Sequence, residues 1–144
     1  MKIAFVCKYN RFRSQIAEAY FNKLNKNKSI KVYSAGVIKG WPIAKTTKKI
    51  AKELGIELSG KTKTLNEDLL VSLDLIIVVA DNVPGDLFKG RVDKIIVWKI
   101  KDANQSNEKE IAKVIKRIKP KVEKLVKQLN KKQKEKKLKW KQKK

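Results

Sequence analysis

Hydrophobic residues lie along this chain in two patterns, nearly unbroken runs and helical repeats. Apolar runs occupy 3–7, 75–80 and 94–100, and a further strand is predicted over 30–37. Runs of this length are typical of strands that are buried on both faces of a parallel sheet. The chain therefore predicts four strands, each separated from the next by polar or helical sequence.

Helical spacing fills the segments between the runs. Apolar residues at intervals of three and four predict one helix from Ser14, a second that ends at Gly55, and a last one over about 107–130. Asn66 is placed to cap a short helix. Pro120 lies inside the last helix, where a proline is expected to kink the helix or split it.

Strands that alternate with helices predict an α/β fold of three layers, doubly wound, with a four-stranded parallel sheet and helices on both faces. A chain of 144 residues suits one such domain, which we assign to 1–130. The remaining segment, 131–144, is nearly all Lys and Gln around Leu138 and Trp140. It has too few apolar residues to join the core, so we predict a basic tail that is disordered or a frayed helix.

Charge and cysteine content narrow the function. The 37 Lys and Arg residues against 14 Asp and Glu give a formal net charge of +23, which attracts phosphorylated proteins, nucleic acids and acidic surfaces. One cysteine and no histidine exclude an internal disulfide, a Cys–His dyad and a Cys/His zinc site. We expect no metal and no cofactor. No apolar stretch is long enough to span a membrane or form a signal peptide, so we expect a cytoplasmic protein.

The loop from Cys7 to Ser14 is the candidate site. Cys7 ends the first predicted strand and Ser14 opens the first helix, where parallel sheets bind ligands and free backbone N–H groups favour a reactive thiolate. Arg13, six positions after the cysteine, can hold two oxygens of a tetrahedral anion in its planar fork. An Arg at this offset occurs by chance roughly once in twenty. The strand, the helix and Ser14 therefore carry the rest of the argument for a phosphate-wrapping loop.

These residues resemble the low-molecular-weight protein-tyrosine phosphatase family, a superfamily that also includes thioredoxin-coupled arsenate reductases. The family loop reads Cys-x-Gly-Asn-x-x-Arg-Ser. Similarity extends in order from Met1 to about Leu129. The segments that carry it are Cys7-Lys8-Tyr9-Asn10-Arg11-Phe12-Arg13-Ser14, the helix that continues through Glu18, Ser34-Ala35-Gly36, and Trp98-Lys99-Ile100-Lys101-Asp102.

The resemblance implies a cysteine-dependent phosphomonoester hydrolase that forms a phosphocysteine intermediate. Cys7 would be the nucleophile and Asp102 the acid that protonates the leaving oxygen, with Asp81 as the competing candidate for the acid. Arg13 would clamp the phosphate. Backbone N–H groups of the loop and the Ser14 hydroxyl would complete a phosphate-binding set of Lys8, Tyr9, Asn10, Arg11, Phe12, Arg13 and Ser14. Asn10 would adopt a left-handed conformation with Ser34 as its supporting hydrogen-bond partner, and Ser14 would donate to the Cys7 sulfur.

The sequence departs from the family pattern in and near the loop. Tyr9 stands where Gly is usual, and Phe12 replaces a frequent second Cys. Ala103 follows the candidate acid where Pro is usual. The aromatic pair that often lines the substrate cleft is replaced by Asn104 and Gln105. The substrate therefore stays open among phosphotyrosine, which we favour, phosphoarginine, another phosphoprotein and a small phosphate ester.

Three other functions are also considered for this sequence. The sequence from Gly55 to Thr62 matches a nucleotide-binding Gly-x4-Gly-Lys-Thr loop, but it follows a predicted helix where that loop needs a strand. Arsenate reduction needs two further cysteines to relay oxidation, which this sequence lacks, so that function is excluded unless an external thiol substitutes for them. The alternative function is a non-catalytic module that binds phosphate or nucleic acid, with the Lys-rich tail contacting phosphates and Trp140 stacking on a base.

Overall fold

A computed structural model describes residues 1–58 and 60–142 of the chain. Its four strands are β1 (Lys2–Cys7), β2 (Lys31–Gly36), β3 (Leu75–Val79) and β4 (Lys94–Trp98). They form one parallel sheet in the order β2-β1-β3-β4. The predicted four-stranded parallel sheet is confirmed. Its two central strands, β1 and β3, are the two most completely buried, as their unbroken apolar runs require.

Three helices and one short 3-10 helix connect the strands, and a fourth helix follows β4. They are α1 (Arg13–Leu24), α2 (Lys45–Glu53), α3 (Glu67–Ser72), the 3-10 helix (Gly85–Phe88) and α4 (Glu108–Gln142). Asn66 caps α3 as predicted, because its Oδ1 accepts a hydrogen bond of 2.8 Å from the Leu69 N–H. Gly55 ends α2 with φ of +88°, a left-handed conformation that glycine adopts without steric cost.

Alternate residues of β1 bury their side chains in separate cores on the two faces of the sheet. Ile3 and Phe5 face the larger core, which includes residues of α1, α2 and α4. Ala4 and Val6 face a smaller core made with residues of α3 and the 3-10 helix. Helices therefore cover both faces, and the predicted three-layer α/β architecture is confirmed.

Helix α4 departs from the prediction. It continues without a break through Pro120, so the predicted split is wrong, and it extends past 130 to Gln142. Pro120 is exposed, and so is Lys116, whose carbonyl loses its helical N–H partner and can bond to water. Among the side chains of α4 that the structure describes, the last buried one is Leu129. Residues 131–142 are helical, and the division of the chain at 130 stays a prediction.

Two further sequence predictions concern segments outside the sheet. The stretch from Gly55 to Thr62 follows α2 and leads to a bridge between Thr64 and Gly36, so it lacks the strand and helix of a nucleotide-binding loop. In the part of the chain that the structure describes, no helix combines the length and the apolar character needed to cross a bilayer.

Candidate active site

The loop between β1 and α1 lies closely against the carboxyl end of β2. Beyond the paired strands, the Val37 N–H donates to the Cys7 carbonyl at 3.1 Å and the Ile38 N–H to the Lys8 carbonyl at 2.9 Å. A Cβ added at Gly36 would lie 2.6 Å from the carbonyl carbon of Tyr9. The loop backbone can follow this path only because Gly36 has no side chain.

The Cys7 sulfur is buried and bonded to the start of α1. Its Sγ lies 2.9 Å from the Ser14 Oγ, and the Asn10 Nδ2 donates to the same oxygen at 2.8 Å. The amide nitrogen of Asn10 can only donate, so Ser14 accepts from Asn10 and keeps its own proton available for a thiolate at Cys7. The arrangement gives a thiolate at Cys7 a hydroxyl donor, as the resemblance predicts.

Asn10 is the buried hub of the loop. Its φ of 57° confirms the predicted left-handed conformation. Its Oδ1 accepts hydrogen bonds from the Gln15 Nε2 at 3.0 Å and from the Lys63 N–H at 2.9 Å. The side-chain amide of Asn10 is thereby bonded at both its oxygen and its nitrogen, which fixes the turn of the loop.

Ser34 does not support Asn10, so that predicted hydrogen bond is wrong. The Ser34 Oγ instead donates to the Glu18 Oε1 at 2.8 Å. A carboxylate is a stronger acceptor than an amide oxygen, and the oxygen of Asn10 is already occupied by Gln15. Ser34 therefore supports helix α1 through Glu18 and contacts the loop only indirectly.

Arg13 is almost completely buried, and its guanidinium is held by residues that follow strands β3 and β4. Its Nη1 donates to the Ile100 carbonyl at 2.9 Å, and its Nη2 donates to the Asn82 Oδ1 at 3.1 Å. Both partners lie just beyond the carboxyl ends of β3 and β4. The guanidinium orientation is thus set by contacts that sequence patterns did not reveal, since Asn82 carries no motif.

Two carboxylates flank the Arg13 guanidinium. The Asp81 Oδ1 lies 3.5 Å from Nη1, and the Asp102 Oδ2 lies 3.8 Å from Nη2. Their side chains are similarly exposed, at 43% and 46%. Both sequence candidates for the acid therefore stand beside Arg13, and distance to the arginine does not separate them.

A cavity of about 520 Å³ adjoins the loop. The two acids differ in their position relative to this cavity. Asp102 lines it, together with Tyr9 and Arg11 from the loop. Among the residues that the structure describes, its lining does not include Asp81. A ligand in this cavity would therefore meet Asp102.

Aromatic side chains form one wall of this cavity in place of the missing pair. Tyr9 and Trp41 meet edge to face, with ring centroids 5.6 Å apart and an interplanar angle of 71°. The positions after Asp102, including Asn104 and Gln105, give the cavity a polar side. Tyr9, which stands where the family pattern has glycine, thus supplies an aromatic surface that the sequence around Asp102 lacks.

The other loop residues differ in what their side chains do. Phe12 is 1% exposed and belongs to the larger core, so its side chain anchors the loop. The Arg11 Nε donates to the Pro42 carbonyl at 3.3 Å, which keeps its cation beside the cavity. The Lys8 ammonium lies 5.2 Å from the centroid of the Tyr9 ring. Within residues 1–58 and 60–142, no group of His, Cys, Asp and Glu side chains could hold a metal ion.

Comparison with known families finds a match that extends over nearly the whole chain. The family described as low molecular weight phosphotyrosine protein phosphatase matches residues 2–135. A comparison with curated proteins finds no match.

Solved structures of three kinds share this fold. An arsenate reductase from Archaeoglobus fulgidus is 31% identical, with a TM-score of 0.68 over 86% of this chain and 98% of its own. A low molecular weight protein tyrosine phosphatase from T. tengcongensis is 26% identical, with a TM-score of 0.75 over 89% and 99%. The YwlE arginine phosphatase from Geobacillus stearothermophilus has a TM-score of 0.82 at 21% identity, over 93% and 96%.

Proposed function

Since this chain belongs to the low-molecular-weight phosphotyrosine protein phosphatase family, we propose that it hydrolyses phosphomonoesters through Cys7, as a protein-tyrosine phosphatase. The observation that carries the proposal is the contact between the Cys7 sulfur and the Ser14 hydroxyl at the start of α1. Arg13 from the same loop reaches Asp102 at the cavity. One loop thus offers a nucleophile, a cation and access to an acid.

In the first step the Cys7 thiolate attacks phosphorus, and the bond from phosphorus to the ester oxygen breaks. Asp102 in its carboxylic acid form donates its proton to that oxygen, so the leaving group departs as an alcohol. Arg13 and the loop N–H groups stabilise the charge on the transferred phosphoryl group. The product is a phosphocysteine at Cys7.

In the second step a water molecule attacks the phosphocysteine. Asp102, now a carboxylate, accepts a proton from the water, and the bond between sulfur and phosphorus breaks. Inorganic phosphate is released, and the thiolate of Cys7 returns to its hydrogen bond with Ser14. The protons balance over the cycle, because Asp102 regains the one that it gave to the leaving group.

The cavity supports an aryl phosphate as the substrate. The rings of Tyr9 and Trp41 offer a surface on which a flat phenol ring can pack. Arg11 places a cation beside the same cavity. A phosphoarginine side chain would bring its own guanidinium cation next to Arg11, and like charges at close range are unfavourable. We therefore propose phosphotyrosine ahead of phosphoarginine.

Arsenate reduction is not proposed. That reaction leaves the nucleophilic cysteine oxidised, and its return needs further thiols. Cys7 is the only cysteine in this sequence.

The test is hydrolysis of a chromogenic aryl phosphate across pH by the wild type and three variants. Cys7→Ser should lower kcat by about 10³-fold or more, and Asp102→Asn by about 10²-fold or more because general-acid catalysis is lost. Asp81→Asn is the matched control. It removes the same charge at the same guanidinium, at a residue outside the cavity lining, and should change kcat by about threefold or less.

The outcomes separate the parts of the proposal. Activity that survives Cys7→Ser would refute the mechanism. A larger loss in Asp81→Asn than in Asp102→Asn would reassign the acid to Asp81. Faster turnover of phosphoarginine than of phosphotyrosine, compared as kcat/KM, would overturn the proposed substrate and leave the chemistry of Cys7 in place.

A further inference from the structure

The outward face of helix α4 carries a row of lysines, which we call the lysine row. Its members recur at intervals of three, four and eight residues, so they share one side of the helix. Pro120 occupies the position that interrupts the row. All members are exposed. The lysine row consists of Lys113, Lys116, Lys124, Lys127, Lys131 and Lys134.

The lysine row is long. From Lys113 to Lys134 the helix rises about 32 Å at 1.5 Å per residue. The opposite side of α4 is the apolar face that runs from Ile111 to Leu129 and is buried in the core. The domain therefore holds the helix by its apolar side and presents the lysine row to solvent along most of its length.

The lysines of the row form no ion pair with the described acidic side chains. In the part of the chain that the structure describes, no acidic side chain forms an ion pair with a cation of α4. Glu108, an acid of the same helix, is paired instead with Lys49 of α2. On the flank of α4, the neighbouring ammonium group of Lys132 lowers the pKa of Lys94. Cations therefore crowd this side of the protein, and an external anion would be attracted to it.

We propose that the lysine row binds the phosphate backbone of double-helical nucleic acid without reading its sequence. One strand of a duplex has a phosphate every 3.4 Å of axis, so about nine phosphates match the length of the row. Lysine ammonium groups act as point charges and lack the fork with which arginine recognises guanine. The proposal concerns a surface of α4 that is separate from the Cys7 loop, and it does not depend on catalysis.

The structure favours nucleic acid over an anionic membrane surface. A helix that lies on a membrane inserts an apolar face into it. The apolar face of α4 is already used by the core, and Leu138 is the only large hydrophobic side chain described as exposed on this helix. A long row of like charges suits a regularly charged polymer better than a compact acidic protein patch. The stacking role predicted for Trp140 concerns a side chain outside the described residues, and the proposal does not use it.

The first measurement is fluorescence anisotropy of a labelled 20-base-pair DNA duplex with the full chain between 50 and 200 mM salt. If about four lysines of the row contact phosphates together, the logarithm of the association constant falls with a slope of about −3.6 against the logarithm of the salt concentration. The affinity should therefore drop on the order of 100-fold over this range. Affinity that is independent of salt, or an absence of binding at 50 mM salt, would overturn the proposal.

The decisive comparison uses two triple variants of equal net charge. One carries Lys116→Gln, Lys124→Gln and Lys127→Gln in the lysine row. The control carries K26Q, K28Q and K31Q in the segment before and at the start of β2, where all three side chains are also exposed. The row variant should lose about 10-fold or more in affinity at 50 mM salt and flatten the salt slope by about one for each contact removed. The control should lose about threefold or less.

Equal losses in the two triple variants would assign the binding to net charge alone and overturn the proposal. Stronger binding to vesicles of phosphatidylserine and phosphatidylcholine than to the duplex would do the same, in favour of a membrane surface. Circular dichroism and the Tm of each variant establish that it is folded. These readouts do not involve phosphatase activity, so the two proposals fail independently.

Discussion

Replacement of Gly36 by alanine tests whether the position of the loop from Cys7 to Ser14 is set by its contact with β2. The added Cβ would lie 2.6 Å from the Tyr9 carbonyl carbon and 2.8 Å from the Asn10 nitrogen. Ordinary contacts of a Cβ begin near 3.4 Å. The opposing atoms are backbone, so they cannot rotate away, and the loop must move by on the order of 1 Å.

We expect Gly36→Ala to lower kcat on an aryl phosphate by about 10²-fold, because misplacement of catalytic groups by about 1 Å costs this much. Overpacking should also lower the free energy of unfolding by about 1–3 kcal/mol. The assay is steady-state hydrolysis at a temperature where circular dichroism shows the variant to be folded, with a parallel urea titration.

Gly60→Ala is the matched control. A Cβ at Gly60 would lie 3.5 Å from the nearest atom, the Gln15 Oε1, which is an ordinary contact. It should leave kcat within about threefold of the wild type. If Gly36→Ala also keeps kcat within that range while folded, the loop does not depend on this close approach, and the reasoning is refuted.

Three further predictions follow from other contacts. Asn82→Ala removes the acceptor of the Arg13 Nη2 and should lower kcat about 10-fold by loss of orientation, whereas Asn82→Asp should restore most of it. Gly40→Ala places a Cβ 2.6 Å from the Cβ of Tyr9 and must shift that residue at the cavity, so KM for an aryl phosphate should rise; an unaltered KM would contradict this. Truncation after Asn130 removes a segment beyond the last buried residue of α4, so differential scanning calorimetry should show a Tm within about 4 °C of the full chain.

The sheet was predictable from the sequence because its signals are local. A central strand of a parallel sheet is buried on both faces and must be apolar on both, which produces an unbroken run such as that of β3. The Cys7 to Ser14 loop was recognisable for a related reason, since its nucleophile, arginine and hydroxyl lie within eight consecutive residues. A pattern that lies within one short segment can be recognised without knowledge of the fold.

The contacts that orient the loop were not predictable in this way. Asn82 is 69 residues from Arg13, and Lys63 is 53 residues from Asn10. Neither carries a local pattern that marks it, because only the folded sheet brings the segments together. Gln15 offered a weak signal, as an uncharged polar residue on the buried side of α1, where a polar group needs a partner.

Pro120 shows a local rule that yields to packing. A proline within a helix costs about 3 kcal/mol or more. Ile118 and Val122, on either side of it, are both completely buried, and burial of each such side chain stabilises the fold by about 1.5–3 kcal/mol. Continuing the helix keeps both side chains in the core, which offsets the cost of the proline.

The burial of Phe12 links the lifetime of the active site to that of the whole domain. This side chain lies inside the loop that carries Cys7 and Arg13, yet it belongs to the same core as α1 and α4. The loop therefore cannot open to solvent without extracting an aromatic ring from that core, and local opening should need nearly the free energy of global unfolding. During a denaturant titration, the proposed hydrolysis of an aryl phosphate and the helical ellipticity should disappear together, and the protein should have no population that is folded but has a disordered Cys7 loop.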